Sequence, residues 1–156
     1  MPRDIEVDVA PWKNDAQFVY SVTYDEGTLD ALVNSYPIHE EHGIPGHICQ
    51  VTGFLGKQRL DRGTNLFDVF YLNEDQIRFL VDRGWTFSSH SHTHVPTGQE
   101  GIDLDLEVRL SKYELERATG LSVDIITYWG NTALKDQIIP IAREAGYLGE
   151  IGRAHV

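Results

Sequence analysis

Two short polar segments of this chain carry residue types that bind metals and move protons. Residues 24–27 read Tyr-Asp-Glu-Gly and end an apolar stretch in two carboxylates, and residues 90–94 read His-Ser-His-Thr-His. Imidazole nitrogens together with a carboxylate suit zinc or a similar divalent metal. Three protein ligands with one open position are the arrangement that activates a water molecule. The two segments therefore predict a metal-dependent hydrolase.

The spacing of the three histidines leaves open which of them bind metal. In a helical turn, His90 and His94 lie on one face because they are four residues apart, and His92 points elsewhere. In an extended segment, alternation places all three on the same face. Three histidines within five residues nevertheless favour a metal-binding or catalytic role over a structural one.

The two acids have an ordinary interpretation and a chemical one. Asp25 and Glu26 are typical of a solvated loop or of the first turn of a helix, where carboxylates are favoured. A zinc hydrolase, however, needs one carboxylate as a ligand and often a second as the base that takes a proton from water. The neighbouring histidine cluster favours the chemical interpretation.

Composition excludes several other classes of function. The chain has 156 residues, is 41% hydrophobic and 10% aromatic, and is therefore expected to form a single globular domain over residues 1–156. Its formal charge of −11, from 24 acids and 13 basic residues, predicts no nucleic-acid partner. Cys49 is the only cysteine, so neither an internal disulfide nor a cysteine-based zinc site can form. We expect it to be a buried core thiol.

Targeting signals are weak in this sequence. The N-terminal segment does not resemble a signal peptide, and every apolar run is too short to span a membrane. We therefore expect no membrane span, and the compartment stays unknown.

Apolar periodicity predicts alternating strands and helices. Segment 53–71 shows no clear period and is expected to be a long loop. A pattern of alternating strands and helices is typical of an α/β domain with a parallel sheet, either open or closed into a barrel. The predicted strands are 18–24, 47–52, 85–89, 123–128 and 147–151, and the predicted helices are 28–42, 73–83, 103 or 105 to 119, and 133–145 with a kink at Pro140.

Three polar clusters follow predicted strands directly. They are the acids of 24–27, the histidines of 90–94, and residues 128–131, which read Tyr-Trp-Gly-Asn. The carboxyl ends of parallel strands meet at one edge of the sheet, where α/β active sites form. We expect the three clusters to converge there.

These segments resemble the motifs of a known family. Residues 24–27 resemble the Thr-Phe-Asp-Asp-Gly motif of the polysaccharide deacetylases, the NodB-homology group of carbohydrate esterases, and residues 90–94 resemble their His-Ser/Thr-x-x-His motif, in the same order. The resemblance implies that Asp25 is the general base. It also implies that Glu26, His90 and His94 hold a divalent metal, for which zinc is the first choice. His92 falls on a variable position and is left as an extra ligand or a residue behind the ligands.

The resemblance further implies a fold and a substrate. The fold is a distorted (β/α) barrel, and residues 126–130 look like a degraded form of the third motif, Arg-x-Pro-Tyr-Gly. The substrate is an acetylated carbohydrate. Tyr24, Tyr128, Trp129 and Gly130 are the candidate substrate contacts, because flat aromatic faces can carry sugar rings. Packing in the core or at the rim is the alternative for these aromatic rings, and a backbone N–H near Trp129 is a candidate for the oxyanion site.

Several departures from the family pattern have chemical consequences. Glu26 stands where the family has Asp, which lengthens the ligand arm by one methylene. The third motif lacks its Arg and Pro, so orientation of Asp25 requires a substitute cation, or the base is weaker. The family's acidic-Trp and Leu-x-His segments belong beyond residue 147, and the context of His155 does not match the latter. We therefore expect either a barrel that is incomplete at its C-terminal end or a divergent chain that takes its general acid from elsewhere.

Three functions follow as expectations. The first is metal-dependent removal of acetyl groups from an N- or O-acetylated carbohydrate. The second is a catalytically inactive barrel that binds carbohydrate or metal, and the third is hydrolysis of another non-peptide C–N bond such as a cyclic amide or imide, since fold does not fix substrate. An incomplete barrel would also leave an open sheet edge through which copies of the chain can associate. A typical member of the family would work in the envelope or outside the cell.

Overall fold

Five short parallel strands form the centre of the molecule. The fold is taken from a computed structural model that describes residues 12–96, 99–130 and 134–152. The strands are hydrogen-bonded in the order β1-β2-β3-β4-β5, and every neighbouring pair is parallel. Their bounds are β1 Thr23–Tyr24, β2 His47–Gln50, β3 Thr86–Ser89, β4 Ile125–Thr127 and β5 Gly149–Ile151.

A helix connects each strand to the next, which gives the repeated β-α unit expected of a parallel sheet. The predicted α/β architecture with a parallel sheet is therefore confirmed. Among the described residues β1 pairs only with β2 and β5 only with β4, so the sheet is open and not a closed barrel. The helices are α1 Tyr36–His42, α2 Glu74–Val81, α3 Ser111–Thr119 and α4 Lys135–Glu144, with π-helical turns Ala31–Ser35 before α1 and Leu106–Leu110 before α3, and 3₁₀ turns Lys13–Asp15 and Thr52–Phe54.

The start of helix α2 is determined by its local sequence. The Asn73 side chain accepts a hydrogen bond from the Gln76 amide at 2.9 Å, and the Gln76 side chain accepts one from the Asn73 amide at 2.8 Å. This reciprocal pair is a capping box that satisfies two amides at the start of the helix. Ile77 and Leu80 then lie on the buried face. The helix predicted to begin at Asn73 is confirmed.

Two apolar clusters attach the helices to the sheet. Each combines residues of a strand with residues of the flanking helices, so burial of these side chains holds the β-α units together. The first cluster contains Ala31, Ile48, Leu72, Ile77, Leu80, Trp85 and Ala118, and the second contains Val108, Leu115, Val123, Ile126, Tyr128, Trp129, Ile138, Ala142 and Tyr147.

Alternate residues of three neighbouring strands form a row of five side chains that we call the polar ladder: His47, Cys49, Thr86, Ser88 and Thr127. His47 contacts Thr86 Oγ1 at 2.7 Å through Nδ1 and Ser88 Oγ at 2.9 Å through Nε2, and Ser88 Oγ lies 2.9 Å from Thr127 Oγ1. Cys49 is fully buried beside Ser88 and Thr127, as expected for a packed thiol. Burial raises the pKa of Cys49, so the thiol stays protonated and unreactive near neutral pH.

The prediction of a buried strand over residues 18–24 is wrong for its first part. Only Thr23–Tyr24 pairs with β2, while Phe18, Val19 and Tyr20 are 80%, 57% and 75% exposed. In the described part of the chain nothing covers these three side chains. Apolar composition shows that a segment can be buried, but the neighbouring elements decide whether it is.

The remaining elements agree with the sequence pattern. Segment 53–71 is the expected loop, held by isolated bridges that include Gln58 with Phe70. Helix α4 continues through Pro140, whereas the predicted helix start at Ala133 lies outside the described residues. In the described segments, no helix has both the length and the apolar content needed to cross a membrane.

The capping box gives a test of the fold. We expect Asn73→Ala to lower the free energy of unfolding by about 1 kcal/mol, because the Gln76 amide loses its partner. Asn34→Ala is the matched control, since Asn34 makes only an exposed hydrogen bond with Asp30 in the described structure. Urea denaturation measures both variants. Equal stability of Asn73→Ala and Asn34→Ala would contradict a stabilising cap.

Candidate metal centre

The turn after β1 places Glu26 at the carboxyl edge of the sheet. Glu26 and Gly27 both have left-handed backbone conformations, with φ of 73° and 76°. A Cβ on residue 27 would lie 2.1 Å from Gln50 Oε1, so both space and backbone conformation require glycine there. The Glu26 carbonyl accepts from Val51 N at 3.2 Å, and the Gly27 carbonyl accepts from Leu72 N at 3.1 Å. The turn is thus fixed to its neighbours on two sides.

The histidine segment is neither a helical turn nor an extended strand. His90 continues β3 and donates its amide to Gln50 O at 2.9 Å. Ser91 and His94 then have positive φ values of 70° and 55°, and the His94 amide donates to Ser91 Oγ at 3.0 Å. This compact turn brings the rings of His90 and His94 to a centroid distance of 5.0 Å.

Glu26 meets both of these histidines. Its Oε1 lies 3.0 Å from His94 Nε2 and 4.0 Å from His90 Nε2. One possible ligand atom from each residue lies within 4.8 Å of the other two. His90 is almost fully buried, while Glu26 and His94 have side chains that are 16% and 23% exposed. The structure therefore brings together the three residues that the family resemblance assigns to metal binding.

The protonation and bonding of these residues fit a divalent metal. His90 Nδ1 lies 3.0 Å from the Thr127 carbonyl, which can only accept, so the proton is on Nδ1 and Nε2 carries a lone pair. Glu26 Oε2 is buried and has no hydrogen-bond partner within the described structure. A buried oxygen of this kind requires an explanation, and a bound cation supplies one. Two imidazole nitrogens and a carboxylate form a donor set suited to zinc.

Electrostatics favour the metal-binding forms of the Glu26 carboxylate and the His90 imidazole. Burial alone would raise the pKa of Glu26, but the hydrogen bond and charge of His94, with the charges of His90 and Arg59, lower it below its ordinary value. Burial lowers the pKa of His90, and the charge of His94 lowers it further. An anionic carboxylate and a neutral imidazole are the forms that bind metal.

A buried arginine near Glu26 is a feature that sequence reasoning missed. Arg59 is 6% exposed, lies over the Phe54 ring at 4.8 Å, and donates Nη1 to the Tyr71 hydroxyl at 3.5 Å. Its charge acts on Glu26, while its Nη2 is 3.8 Å from Asp61. This positive charge near Glu26 comes from loop 53–71. Only the unusual length of that loop indicated a functional role in the sequence.

Asp25, the predicted base, is exposed beside the polar ladder. Its carboxylate interacts with the Cys49 thiol, and its charge also acts on His90. An exposed carboxylate at the rim is accessible to water and substrate. The role of Asp25 as base stays a prediction.

His92 is directed away from the cluster. Its Nδ1 lies 2.9 Å from Thr52 Oγ1, and its carbonyl accepts from Gly53 N at 2.7 Å. The structure therefore does not bring His92 to Glu26, and the His92 ring contacts Thr52 instead. The interpretation of His92 as an extra ligand has no support in this geometry.

Tyr24 is not brought to the cluster either. Its hydroxyl lies 2.8 Å from His39 Nε2, and its ring stacks on Trp85 with centroids 5.9 Å apart. These contacts account for Tyr24 as a packing residue, so its position gives no support to the predicted contact with a sugar.

The two aromatic residues of the third motif are core residues. Tyr128 and Trp129 are 3% and 1% exposed, so neither ring offers an open face to a sugar. The Tyr128 hydroxyl donates to Glu150, and Trp129 Nε1 donates to Val95 O at 2.9 Å. The burial and contacts of both rings therefore favour the packing interpretation. Gly130, with φ of 66°, is exposed and stays a candidate, whereas Asn131 lies outside the described residues.

Several solved structures share this fold. The chain is 20% identical to the deacetylase PplD of Streptococcus pyogenes, solved in complex with acetate, with a TM-score of 0.65 over 88% of this chain and 66% of that one. It is 19% identical to IcaB from Ammonifex degensii, with a TM-score of 0.68 over 87% of this chain and 66% of that one. BA3943 of Bacillus anthracis, described as a CE4 family pseudoenzyme, is 15% identical, with a TM-score of 0.58 over 84% and 42%.

These comparisons define the fold and the family. The chain spans just under two thirds of the length of PplD and IcaB. No curated protein matches the sequence. The family model for polysaccharide deacetylase matches residues 13–149, which is most of the chain. The chain therefore belongs to the polysaccharide deacetylase family.

Proposed function

We propose that this protein is a metal-dependent hydrolase that removes acetyl groups from an N- or O-acetylated carbohydrate. The observation that carries the proposal is the meeting of Glu26, His90 and His94, with Glu26 Oε2 buried and unpartnered in the described structure. Membership of the polysaccharide deacetylase family supports the same class of reaction.

The proposed ligands are Glu26 and the Nε2 atoms of His90 and His94. When bound, a divalent metal, for which we propose zinc, lowers the pKa of a coordinated water and polarises an acetyl carbonyl. The Thr127 carbonyl holds the His90 ring in the orientation that this role needs, because it accepts the proton on Nδ1. The positive charge of Arg59 helps to keep Glu26 anionic.

Asp25 takes the proton from the attacking water in this proposal. A C–O bond forms to the acetyl carbon, and the C–N or C–O bond to the sugar then breaks. The products are acetate and a free amine or hydroxyl. The proton held by Asp25 is available to the leaving group, so the reaction balances without another co-reactant.

A second candidate function is binding without turnover. It is favoured by the missing Arg of the third motif and by the similarity in fold to BA3943, which is itself described as a pseudoenzyme. In this case the cluster would hold metal or glycan while Asp25 remained poorly oriented. Measured turnover of any acetylated sugar would exclude this candidate.

Metal content tests the proposed ligands. We expect about one zinc per chain after loading and dialysis, and loss of that zinc in His90→Ala and in His94→Ala, because each variant removes one of three ligands. His92→Ala is the matched control and should retain zinc, since the His92 ring contacts Thr52 and not Glu26. Mass spectrometry of the dialysed proteins measures all four. Equal zinc loss in His92→Ala would contradict the assigned ligands.

Removal of the Asp25 carboxylate tests the proposed base. Asp25→Asn should keep zinc but lower turnover of acetylated chito-oligosaccharides by about 100- to 10,000-fold, the usual contribution of a general base. The assay follows acetate release alongside zinc content. Unchanged turnover would show that Asp25 is not the base.

The class of bond hydrolysed is tested separately. We expect acetylated sugars to release acetate and cyclic imides or ureides to remain intact, since the family acts on acetyl groups. A panel of both substrate classes with the zinc-loaded parent chain measures this. Opening of a cyclic imide without acetate release would instead support hydrolysis of another C–N bond.

A further inference from the structure

We propose that Glu107, a residue outside the proposed metal centre, positions the loop that carries His94. This inference rests on the proposed metal-binding function and adds a positioning residue to it. Glu107 lies in the π-helical turn Leu106–Leu110 that leads into α3, and it is 3% exposed. A buried carboxylate is costly unless its oxygens are satisfied, so its contacts show what it does.

The Glu107 carboxylate contacts two of the three residues between the proposed histidine ligands. Its Oε2 accepts from the amides of His92 and Thr93 at 3.0 and 2.9 Å. Its Oε1 accepts a short hydrogen bond from the Thr93 hydroxyl. Both oxygens are therefore directed at the loop, and the residue that follows these donors is His94.

Charge balance supports the same role. In the part of the chain that the structure describes, Glu107 forms no ion pair with Lys or Arg, so the loop N–H and O–H groups are what stabilise its charge. Successive backbone amides that converge in a turn make a natural site for an anion. In this chain a side chain from the core occupies that site, which ties the loop to the helix.

The loop needs such a restraint. Ser91 and His94 both have positive φ, a conformation that is costly for a non-glycine residue and persists only where its surroundings impose it. Other contacts hold neighbouring parts of the loop, since Ser91 O accepts from Thr52 N at 3.2 Å and Val95 O accepts from Trp129 Nε1. Glu107 supplies the restraint at His92 and Thr93, directly before the ligand.

The test compares three variants. Glu107→Ala leaves two amides and a hydroxyl without their partner, and we expect zinc affinity to fall about 10- to 100-fold, as for other residues that orient ligands. Glu107→Gln should recover much of the affinity, because its carbonyl oxygen can still accept from both amides. Asp105→Ala is the matched control. It also removes an acid close to Glu107 in sequence, but the Asp105 carboxylate accepts a hydrogen bond from Arg109 on the surface. Its affinity should equal that of the parent.

Zinc affinity is measured by competition with a chromophoric chelator, and the visible spectrum of the cobalt-loaded protein reports ligand geometry. Glu107→Ala should change that spectrum, whereas Asp105→Ala should not. Parental zinc affinity and an unchanged cobalt spectrum in Glu107→Ala would overturn the proposal. If Glu107→Ala keeps the parental zinc affinity and its Tm falls by the same amount with and without zinc, Glu107 has a purely structural role. This result would also overturn the proposal.

Hydrogen exchange of the metal-free protein separates this inference from the proposed function. We expect faster exchange at the amides of His92, Thr93 and His94 in Glu107→Ala, with parental rates in the core strands. If the parent chain binds no zinc, the proposed function fails, and exchange alone then decides the role of Glu107. Unchanged exchange in the loop, or an equal increase throughout the core, would overturn the positioning role.

Discussion

The site depends on the approach of one carboxylate to two imidazoles at the carboxyl edge of an open parallel sheet. Glu26 Oε1 is 3.0 Å from His94 Nε2, while its other oxygen is buried without a partner among the described residues. That arrangement is costly unless a cation or proton satisfies the carboxylate. The left-handed turns at Glu26 and His94, and the glycine that lets Gln50 approach residue 27, are what make it possible.

Sequence reasoning correctly predicted the architecture and the edge of the sheet at which Glu26 meets His90 and His94. Periodicity and turn residues were sufficient because α2 and its neighbours follow local rules such as the capping box at Asn73. The convergence of Glu26 with His90 and His94 followed from topology, since parallel strands end at the same edge. The spacing of the histidines left two arrangements open. The structure shows a third arrangement, a compact turn with positive φ at Ser91 and His94. The spacing of residues along the chain does not predict such backbone angles.

The failures concern contacts between segments distant in sequence. Phe18 was expected to be buried but is exposed, because no described element covers it. For Trp129 the sequence left a sugar contact and core packing open, and the residue is buried. Arg59 and Glu107 reach the site from a loop and a helical turn whose positions depend on the whole fold. Neither residue belongs to a motif. Together they supply charge and restraint around the ligands, while the polar ladder adjoins the proposed base Asp25.

In the proposed centre, Glu26, His90 and His94 bind one divalent metal. X-ray absorption at the zinc edge of the zinc-loaded chain tests this most directly, because scattering from imidazole rings beyond the first coordination sphere reveals how many histidines are bound. We predict nitrogen and oxygen ligands with two imidazoles in the parent and one in His94→Ala, if that variant is measured at saturating zinc. Zinc coordinated without histidine in the parent, or the same spectrum for both proteins, would contradict the proposed centre.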